Sequence, residues 1–362
     1  MIYWMEIDEE TGGRFRASSP ATTNELLRLV AEIDEFKGAW DAISRIAPDR
    51  LSRLRRVATI ESTGASTRIE GAALTDREVE RLLARVGVQS FATRDEQEVA
   101  GYADAMETVF DSWRAIDLTE NHVRQLHLEL LKYSEKDARH RGAYKALPNH
   151  VEAFDPDGRR LGVVFETATP FETPFRMEEL IDWTHSAVDH GEIHPLLVIG
   201  IFVATFLAIH PFQDGNGRLS RILTTLLLLR AGYAHVPYSS LESVVEQSKE
   251  AYYLALRGTQ GTLGTESPDW EPWLVYFLTT LKRQKDRLRQ RIDRERIILG
   301  DLPELSVQIL DIARDTGRVS VADAVHVTGA SRNTIKGQIR ALVVAGHLGR
   351  HGAGRGTWYS LA

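Results

Sequence analysis

A long apolar segment, Leu196 to Ile209, constrains the fold of this chain more than any other part of its sequence. It carries no charged residue, so it predicts a helix that is buried on all sides. A second apolar helical segment, Ile222 to Leu229, follows after only twelve residues. The sequence therefore predicts two core helices joined by one short turn.

The twelve residues of this turn, His210 to Arg221, read His-Pro-Phe-Gln-Asp-Gly-Asn-Gly-Arg-Leu-Ser-Arg. Backbone N–H groups of a glycine-rich turn that opens a helix point at an anion and feel the positive end of the helix dipole. Arg218 and Arg221 are three residues apart, so they share one helix face and can reach the same anion. The turn therefore predicts a binding site for a phosphate-containing ligand.

Two further side chains of the turn supply the chemistry that such a ligand requires. Asp214 is a hard oxygen ligand of the kind that Mg²⁺ prefers when it also binds phosphate oxygens. His210 stands at the end of the apolar helix and can take a proton from an incoming hydroxyl. A lone histidine there would more often be a core residue, but the whole set favours transfer of a phosphate-containing group.

This string resembles the signature of the Fic (Fido-domain) family, H-x-F-x-[DE]-G-N-G-R-x-x-R, and it matches all eight specified positions. The resemblance implies that His210 is the general base for a target hydroxyl and that Asp214 holds Mg²⁺ against the α- and β-phosphates of ATP. It implies an anion hole at Gly215, Asn216 and Gly217, phosphate contacts from Arg218, a γ-phosphate contact from Arg221, and a loop anchor at Phe212.

The reaction implied by the resemblance is AMP transfer from ATP to a Tyr, Thr or Ser hydroxyl of a target protein or of the chain itself. Gly217 favours this reaction, because a related branch of the family carries lysine there, binds the nucleotide reversed and transfers phosphate. Transfer of UMP or phosphocholine by the same core is an alternative.

An upstream segment, Ser66-Thr67-Arg68-Ile69-Glu70-Gly71, resembles the inhibitory motif of the family, [ST]-x-x-x-E-[GN]. Ser66 and Glu70 are four residues apart and share a helix face, and Gly71 is a typical helix terminator. The resemblance predicts that Glu70 pairs bidentately with Arg221 and deprives the γ-phosphate of its partner. A solvent-exposed helix end is the alternative. Removal of AMP, for which some relatives use the same glutamate, is left open.

Helical periodicity prevails along the rest of the chain, except near 149–166. There, two segments flank the turn signal Asp155-Pro156-Asp157-Gly158 and predict a β-hairpin. The hairpin resembles the family's flap, which pairs with the backbone of the target; a surface hairpin without a role is the alternative. Tyr252 and Tyr253 also resemble positions of the family, and the resemblance implies that Tyr252 contacts the adenine; Tyr253, or a core role for either residue, is the alternative.

We therefore predict a mainly α fold: a Fic/Fido helical bundle with a β-hairpin flap and a C-terminal winged helix-turn-helix domain. The N-terminal helical region covers 1–110, with the inhibitory helix at about 55–71, and the catalytic core covers 111–281. A linker helix at 282–302 leads to the winged helix at 303–362.

The winged-helix segment has a basic balance, with seven basic and four acidic residues from Glu304 to Ala362. The predicted recognition helix begins with Ser331, Arg332, Asn333, Thr334 and Lys336. This pattern is compatible with DNA contact, and protein docking or dimerisation is the alternative. A nucleotide-sensing DNA-binding regulator without transfer activity is accordingly the rival to the enzyme.

The composition limits which cellular locations and which kinds of reactive site the chain can have. Cysteine is absent, which excludes disulfides, thiolate metal sites and a cysteine nucleophile. The first ten residues carry acidic groups rather than a basic start and an apolar core, which argues against a signal peptide. The longest apolar stretch is too short to span a bilayer. We expect a cytoplasmic protein without membrane contact, and a homodimer is left open.

Overall fold

The computed structural model describes residues 20–44, 48–84, 91, 93–154, 160–263, 265, 267–300 and 303–361. The chain divides into two compact units, Met1–Leu288 and Arg289–Ala362. The first unit is mainly helical, and its only described strands form one hairpin. None of the helices in the described ranges is long and apolar enough to cross a membrane.

The elements of the first unit follow one another in the order α1 (Asn24–Ser44), α2 (Pro48–Ile69), α3 (Asp76–Leu83), α4 (Arg94–Ser112), α5 (Glu120–Leu130), β1 (Val151–Phe154), β2 (Arg160–Phe165), α6 (Thr173–His190), α7 (Pro195–Ile209), α8 (Asn216–Arg230), a 3-10 turn (Val236–Tyr238), α9 (Glu242–Gln247), α10 (Lys249–Gln260) and α11 (Glu271–Gly300).

Helices α7 and α8 are the predicted pair of core helices. Every residue of α7 from Leu196 to Ile209 is buried. The helix begins at Pro195, which lacks an N–H that the first turn does not need. It ends where His210 takes a left-handed conformation, with φ 53° and ψ 59°. Each fully buried Leu, Ile or Phe contributes about 1.5–3 kcal/mol of burial free energy, so α7 is the centre of the core.

The hairpin lies where the sequence predicts it. Strands β1 and β2 are antiparallel, with Val151 opposite Phe165 and Phe154 opposite Arg160. The predicted turn at 155–158 lies outside the described residues. Helix α2 contains the predicted inhibitory segment only as far as Ile69, where the helix ends. Glu70 follows directly after the helix, and Gly71 has φ 108°.

The second unit contains α12 (Glu304–Asp315), α13 (Val321–Thr328), α14 (Arg332–Val344), β3 (Leu348–His351), a 3-10 turn (Gly354–Gly356) and β4 (Trp358–Leu361). Strands β3 and β4 are antiparallel, and Val319 forms a bridge with Tyr359. The unit has its own apolar core, which includes Ile309, Val319, Ile335 and Leu348. The winged-helix assignment remains a prediction.

The segment predicted as a separate linker helix is the continuation of α11, which begins at Glu271 within the first unit. No glycine or proline stands between Trp273 and Leu299, so nothing in the sequence interrupts the helix there. A run of mixed charges suggests a boundary at 282, but charge alone does not end a helix.

Candidate active site

The turn between α7 and α8 is closed by its own side chains. The Phe212 ring is fully buried and stacks on His127 at 3.8 Å between ring centroids. Asn216 spans the turn, since its Oδ1 accepts from the Phe212 N–H at 2.9 Å and its Nδ2 donates to the Phe212 carbonyl at 2.6 Å. The predicted loop anchor is thus buried, and the amide of Asn216 holds the turn together.

The N-terminus of α8 is open to an anion. Gly215 precedes the helix with φ 81°, and no side chain caps the first turn. The first N–H groups of a helix have no acceptor within the helix, so they remain for a ligand. Gly215, Asn216 and Gly217, predicted as the anion hole, lie at this helix start.

Arg218 brings a buried positive charge to the same place. Its side chain is 2% exposed, its Nη1 lies 3.0 Å from Glu98 Oε2, and its Nη2 lies 3.3 Å from Asp214 Oδ1. Neither Nε nor Nη1 makes a hydrogen bond of acceptable geometry within the described residues. A buried guanidinium with unmatched N–H groups is costly, and a bound anion would satisfy it.

Ser66 and Glu70 both contact Arg221, which is almost fully buried. Arg221 Nη2 lies 2.8 Å from Glu70 Oε1, its Nε donates to Ser66 Oγ at 2.8 Å, and its Nη2 also donates to the Ser66 carbonyl at 3.0 Å. The predicted pair is therefore present, but through one contact rather than the bidentate pairing, because Ser66 accepts from Nε and also from Nη2, the two nitrogens of one edge of the guanidinium.

The charge on Glu70 is stabilised by its neighbours. Burial raises the pKa of Glu70, but the charge and hydrogen bond of Arg221, with a contribution from Arg218, lower it below its ordinary value. About a third of the Glu70 side chain is exposed. Glu70 is thus an ionised carboxylate beside Gly217 at the start of α8.

His210 has the protonation state of a general base. Burial, together with the charge of Lys145, lowers the pKa of His210 to about 4. Its Nδ1 lies 3.3 Å from the Leu207 carbonyl, which can only accept, so Nδ1 carries the proton. The imidazole is neutral near neutral pH, and Nε2 presents its lone pair.

Asp214 fits the role of a magnesium ligand. Burial raises its pKa, but Arg218, the Gly215 N–H and Lys136 outweigh burial and lower it, so the carboxylate is ionised. Oδ1 accepts from the Gly215 N–H at 2.6 Å, and Oδ2 lies 3.5 Å from Lys136 Nζ. In the described part of the chain no group of three or more acidic or histidine side chains could hold a metal. One carboxylate suits Mg²⁺ when phosphates provide other ligands.

Tyr252 lies within a cluster of aromatic residues. It is 7% exposed and makes edge contacts with Tyr253 at 5.1 Å, Trp273 at 5.7 Å and Tyr276 at 5.9 Å between ring centroids. Tyr253 is the more exposed of the two tyrosines. The contact of Tyr252 with adenine stays a prediction, because its packing also suits a core role.

Several residues of the site are not evident from the sequence. Glu98, Arg94 and Lys136 surround Arg218 and Asp214, and His127 supports the turn from beneath. His127 Nδ1 accepts from the Gly142 N–H at 2.8 Å, so its Nε2 donates to the Asp214 carbonyl at 3.0 Å. None of these residues stands near the turn in sequence, and no local pattern connects them with it.

Residues 117–228 match the model of the Fic/DOC family. The chain is 27% identical over 251 residues to the protein adenylyltransferase Fic of Drosophila willistoni, covering 69% of this chain and 46% of that protein. It is 28% identical over 233 residues to the protein of the same name from Drosophila melanogaster, covering 64% and 43%. The chain thus spans somewhat less than half the length of the curated relatives it matches.

Two solved structures resemble the chain in fold. A Fic family protein from Desulfovibrio desulfuricans G20 has a TM-score of 0.66 at 23% identity, covering 96% of this chain and 98% of that one. A Fic domain containing signaling protein from Bacteroides thetaiotaomicron has a TM-score of 0.57 at 24% identity, covering 70% and 93%. At these identities the likeness establishes the helical fold alone.

Proposed function

Because residues 117–228 form a domain of the Fic/DOC family, we propose that the chain is an autoinhibited protein adenylyltransferase. It would transfer AMP from ATP to a Tyr, Thr or Ser hydroxyl of a target protein or of itself. The observation that carries the proposal is the meeting of a neutral His210, an uncapped helix start and a buried Arg218 with unmatched N–H groups within one turn.

Each group of the turn has a part in this reaction. The phosphates would lie on the N–H groups at the start of α8, with Arg218 beneath them. His210 Nε2 would take the proton of the target hydroxyl while the hydroxyl oxygen forms a bond to the α-phosphorus. The bond from the α-phosphorus to the bridging oxygen of pyrophosphate breaks, and its electron pair leaves with pyrophosphate. Mg²⁺ beside Asp214 would neutralise phosphate charge.

Glu70 would inhibit this reaction by occupying the place of an anion. Its carboxylate pairs with Arg221 and lies against Gly217 at the start of α8. A γ-phosphate would lose its guanidinium partner and meet a like charge, so ATP would bind with its α-phosphorus out of line. An ionised carboxylate at Glu70 would also be able to accept a proton from water, so AMP removal is a second activity to test.

The hairpin β1–β2 would dock the target. An exposed strand edge can pair with an extended backbone through main-chain hydrogen bonds. In the described residues the two strands pair only with each other, so their outer edges are open to a further strand.

The deciding experiment compares the wild type, Glu70→Gly and Glu70→Gly/His210→Ala, each incubated with ATP and Mg²⁺ and measured by intact mass. We expect a gain of one or more AMP groups in Glu70→Gly only. Parallel incubations with UTP and CDP-choline separate the alternative donors. Absence of AMP transfer in Glu70→Gly, both alone and with a cell extract as the source of target proteins, would contradict the proposal.

A second function, DNA contact, is favoured by one feature of the second unit. Arg332, Lys336 and Arg340 are exposed along one face of α14, four residues apart, so successive charges are about 6 Å apart along the helix. Asn333 and Thr334 are exposed in its first turn. We propose that this basic stripe binds the phosphates of duplex DNA. The cytoplasmic location and the homodimer stay predictions from the sequence.

A further inference from the structure

Four consecutive backbone carbonyls, from Ile209 to Phe212, accept hydrogen bonds from just two residues outside the turn. Lys145 Nζ donates to the Ile209 carbonyl at 2.9 Å, and the Lys145 N–H donates to the Pro211 carbonyl at 2.9 Å. Asn149 Nδ2 donates to the His210 carbonyl at 3.3 Å and to the Phe212 carbonyl at 2.6 Å. The backbone on both sides of His210 is thus held from one direction.

The held backbone is unfavourable by itself. His210 has φ 53°, and it is the one non-glycine residue with positive φ in the described ranges. A residue with a side chain avoids this left-handed region unless surrounding contacts impose it. The bonds from Lys145 and Asn149 impose it here, and they thereby fix the direction in which the imidazole leaves the backbone.

Lys145 is an unusual residue to bury for this purpose. It is 3% exposed, and burial lowers its pKa to about 8. All three N–H groups of its ammonium are used on neutral oxygens: the Ile209 carbonyl, Asn149 Oδ1 at 2.8 Å and Thr167 Oγ1 at 3.0 Å. Burial of an ammonium that has no carboxylate among its hydrogen-bond acceptors is unfavourable. The hydrogen bonds of this ammonium nevertheless hold the backbone of the turn in place.

The other two oxygens that accept hydrogen bonds from the Lys145 ammonium belong to residues at the two ends of the hairpin. Asn149 lies two residues before β1, and Thr167 lies two residues after β2. Their side chains also contact each other, with Thr167 Oγ1 3.2 Å from Asn149 Oδ1. One ammonium group therefore joins both ends of the hairpin to the residue that precedes the base.

We propose that Lys145 is a positioning residue for AMP transfer, which sets the place of His210 relative to the hairpin that docks the target. The inference rests on the proposed function. Lys145 touches neither nucleotide nor target hydroxyl in this role. It acts through the backbone of the turn, so its loss affects the transfer step more than ATP binding.

The test uses Glu70→Gly as the parent and compares Lys145→Met, Lys145→Arg and Thr167→Val within it. Lys285→Met is the matched control, because Lys285 is also a buried lysine, 4% exposed, but its ammonium pairs with Asp286 far from the turn in sequence. Each variant is measured for auto-modification at saturating ATP, for ATP affinity with Mg²⁺, and for melting temperature.

We expect Lys145→Met to lower the single-turnover rate about 100-fold, the size of effect that a misplacement of about 1 Å of a catalytic group produces, while ATP affinity changes little. Thr167→Val should lower the rate less, since it removes one acceptor only, and Lys145→Arg should restore part of it. Equal rates in Lys145→Met and the parent, or equal loss in Lys285→Met, would overturn the proposal.

A second measurement does not depend on activity. Hydrogen exchange of the Phe212 amide should become faster in Lys145→Met but not in Lys285→Met, because this amide donates across the turn to Asn216 Oδ1 and is protected only while the turn is closed. If the Glu70→Gly parent transfers no AMP, the proposed function is contradicted. If hydrogen exchange is unchanged in Lys145→Met, the proposal that Lys145 keeps the turn closed is contradicted. The two failures are therefore distinguishable.

Discussion

The carboxylate of Glu70 lies directly against the Cα of Gly217. A Cβ on residue 217 would stand 3.0 Å from Glu70 Cδ and would overlap Oε1. The absence of a side chain at residue 217 therefore leaves room for the carboxylate that we propose to be inhibitory. The two residues belong to segments far apart in the chain, yet each limits what the other position can be.

The first prediction follows from this contact. Gly217→Ala should push the flexible end of Glu70 away from Arg221 and raise auto-adenylylation of the otherwise wild-type protein, by several-fold, measured by intact mass over time. In the Glu70→Gly background the same substitution should give no increase, because no carboxylate remains to displace. An increase of the same size in both backgrounds would show that the effect does not pass through Glu70.

A second prediction concerns the anchor of α2. Arg68 pairs with both carboxylate oxygens of Glu246, at 2.6 and 3.0 Å, just before the inhibitory glutamate. Glu246→Gln should loosen the last turn of α2 and raise the basal transfer rate about threefold to tenfold, since a partly exposed bidentate pair contributes about 1 kcal/mol.

The control for this variant is Glu80→Gln, which breaks the exposed pair of Glu80 with Arg56 of the same helix α2. We expect it to leave the basal rate unchanged. If the two variants raise the rate equally, the position of Glu70 does not depend on the anchor at Glu246.

A third prediction concerns the pH dependence of transfer. The pKa of His210 is lowered to about 4, mainly by burial, so the imidazole stays neutral where an ordinary histidine would become protonated. The rate of Glu70→Gly at saturating ATP should therefore stay level from about pH 7 down to about pH 5.5. A decline centred near the ordinary histidine pKa would show that the base is more hydrated during turnover.

Stability should depend on pH for a related reason. Burial lowers the pKa values of His127, His210 and His235 to about 4. A histidine with a depressed folded pKa takes up protons more readily when unfolded, so the free energy of unfolding falls between about pH 6.5 and about pH 4. His127→Gln should flatten this decline, measured by urea unfolding across that range, whereas substitution of the exposed His351 should not.

A fifth prediction tests the basic stripe on α14. Binding of the full chain to duplex DNA should weaken with salt, and Arg332→Ala/Lys336→Ala/Arg340→Ala should reduce the salt slope by about one unit for each phosphate that is no longer neutralised. Arg28→Ala, an exposed arginine of α1, is the control. An unchanged slope in the triple variant would assign the stripe to a protein partner. DNA binding by a Glu70→Gly protein that transfers no AMP would favour the nucleotide-sensing regulator.

The turn from His210 to Arg221 could be predicted from the sequence because its chemistry is local. Residue types and spacings within twelve residues define an open helix start, an acid and a base, and the flanking apolar segments predict two buried helices. The pairing of Glu70 with Arg221 could be predicted only through a resemblance, since nothing in the spacing of two distant segments brings them together. The pair makes a single contact, and Ser66 accepts from Nε and Nη2 of the same guanidinium.

Lys145, Asn149 and His127 could not be predicted, because they act on backbone carbonyls rather than on a ligand. Every residue has a backbone carbonyl, so the sequence does not show which side chain will donate to it. The donor is identified only in the folded structure. His127 has the helical spacing of an ordinary core residue on α5, and its two hydrogen bonds are both to the backbone.

The position of Glu70 beside α8 has a consequence for how the protein responds to its surroundings. Because the carboxylate that we propose to be inhibitory and the predicted anion site belong to one chain, the carboxylate is present at a high effective concentration that dilution does not change. Inhibition of the proposed kind would be independent of how much protein a cell contains. Release would then require either a ligand that competes with the carboxylate or a force that lifts the end of α2.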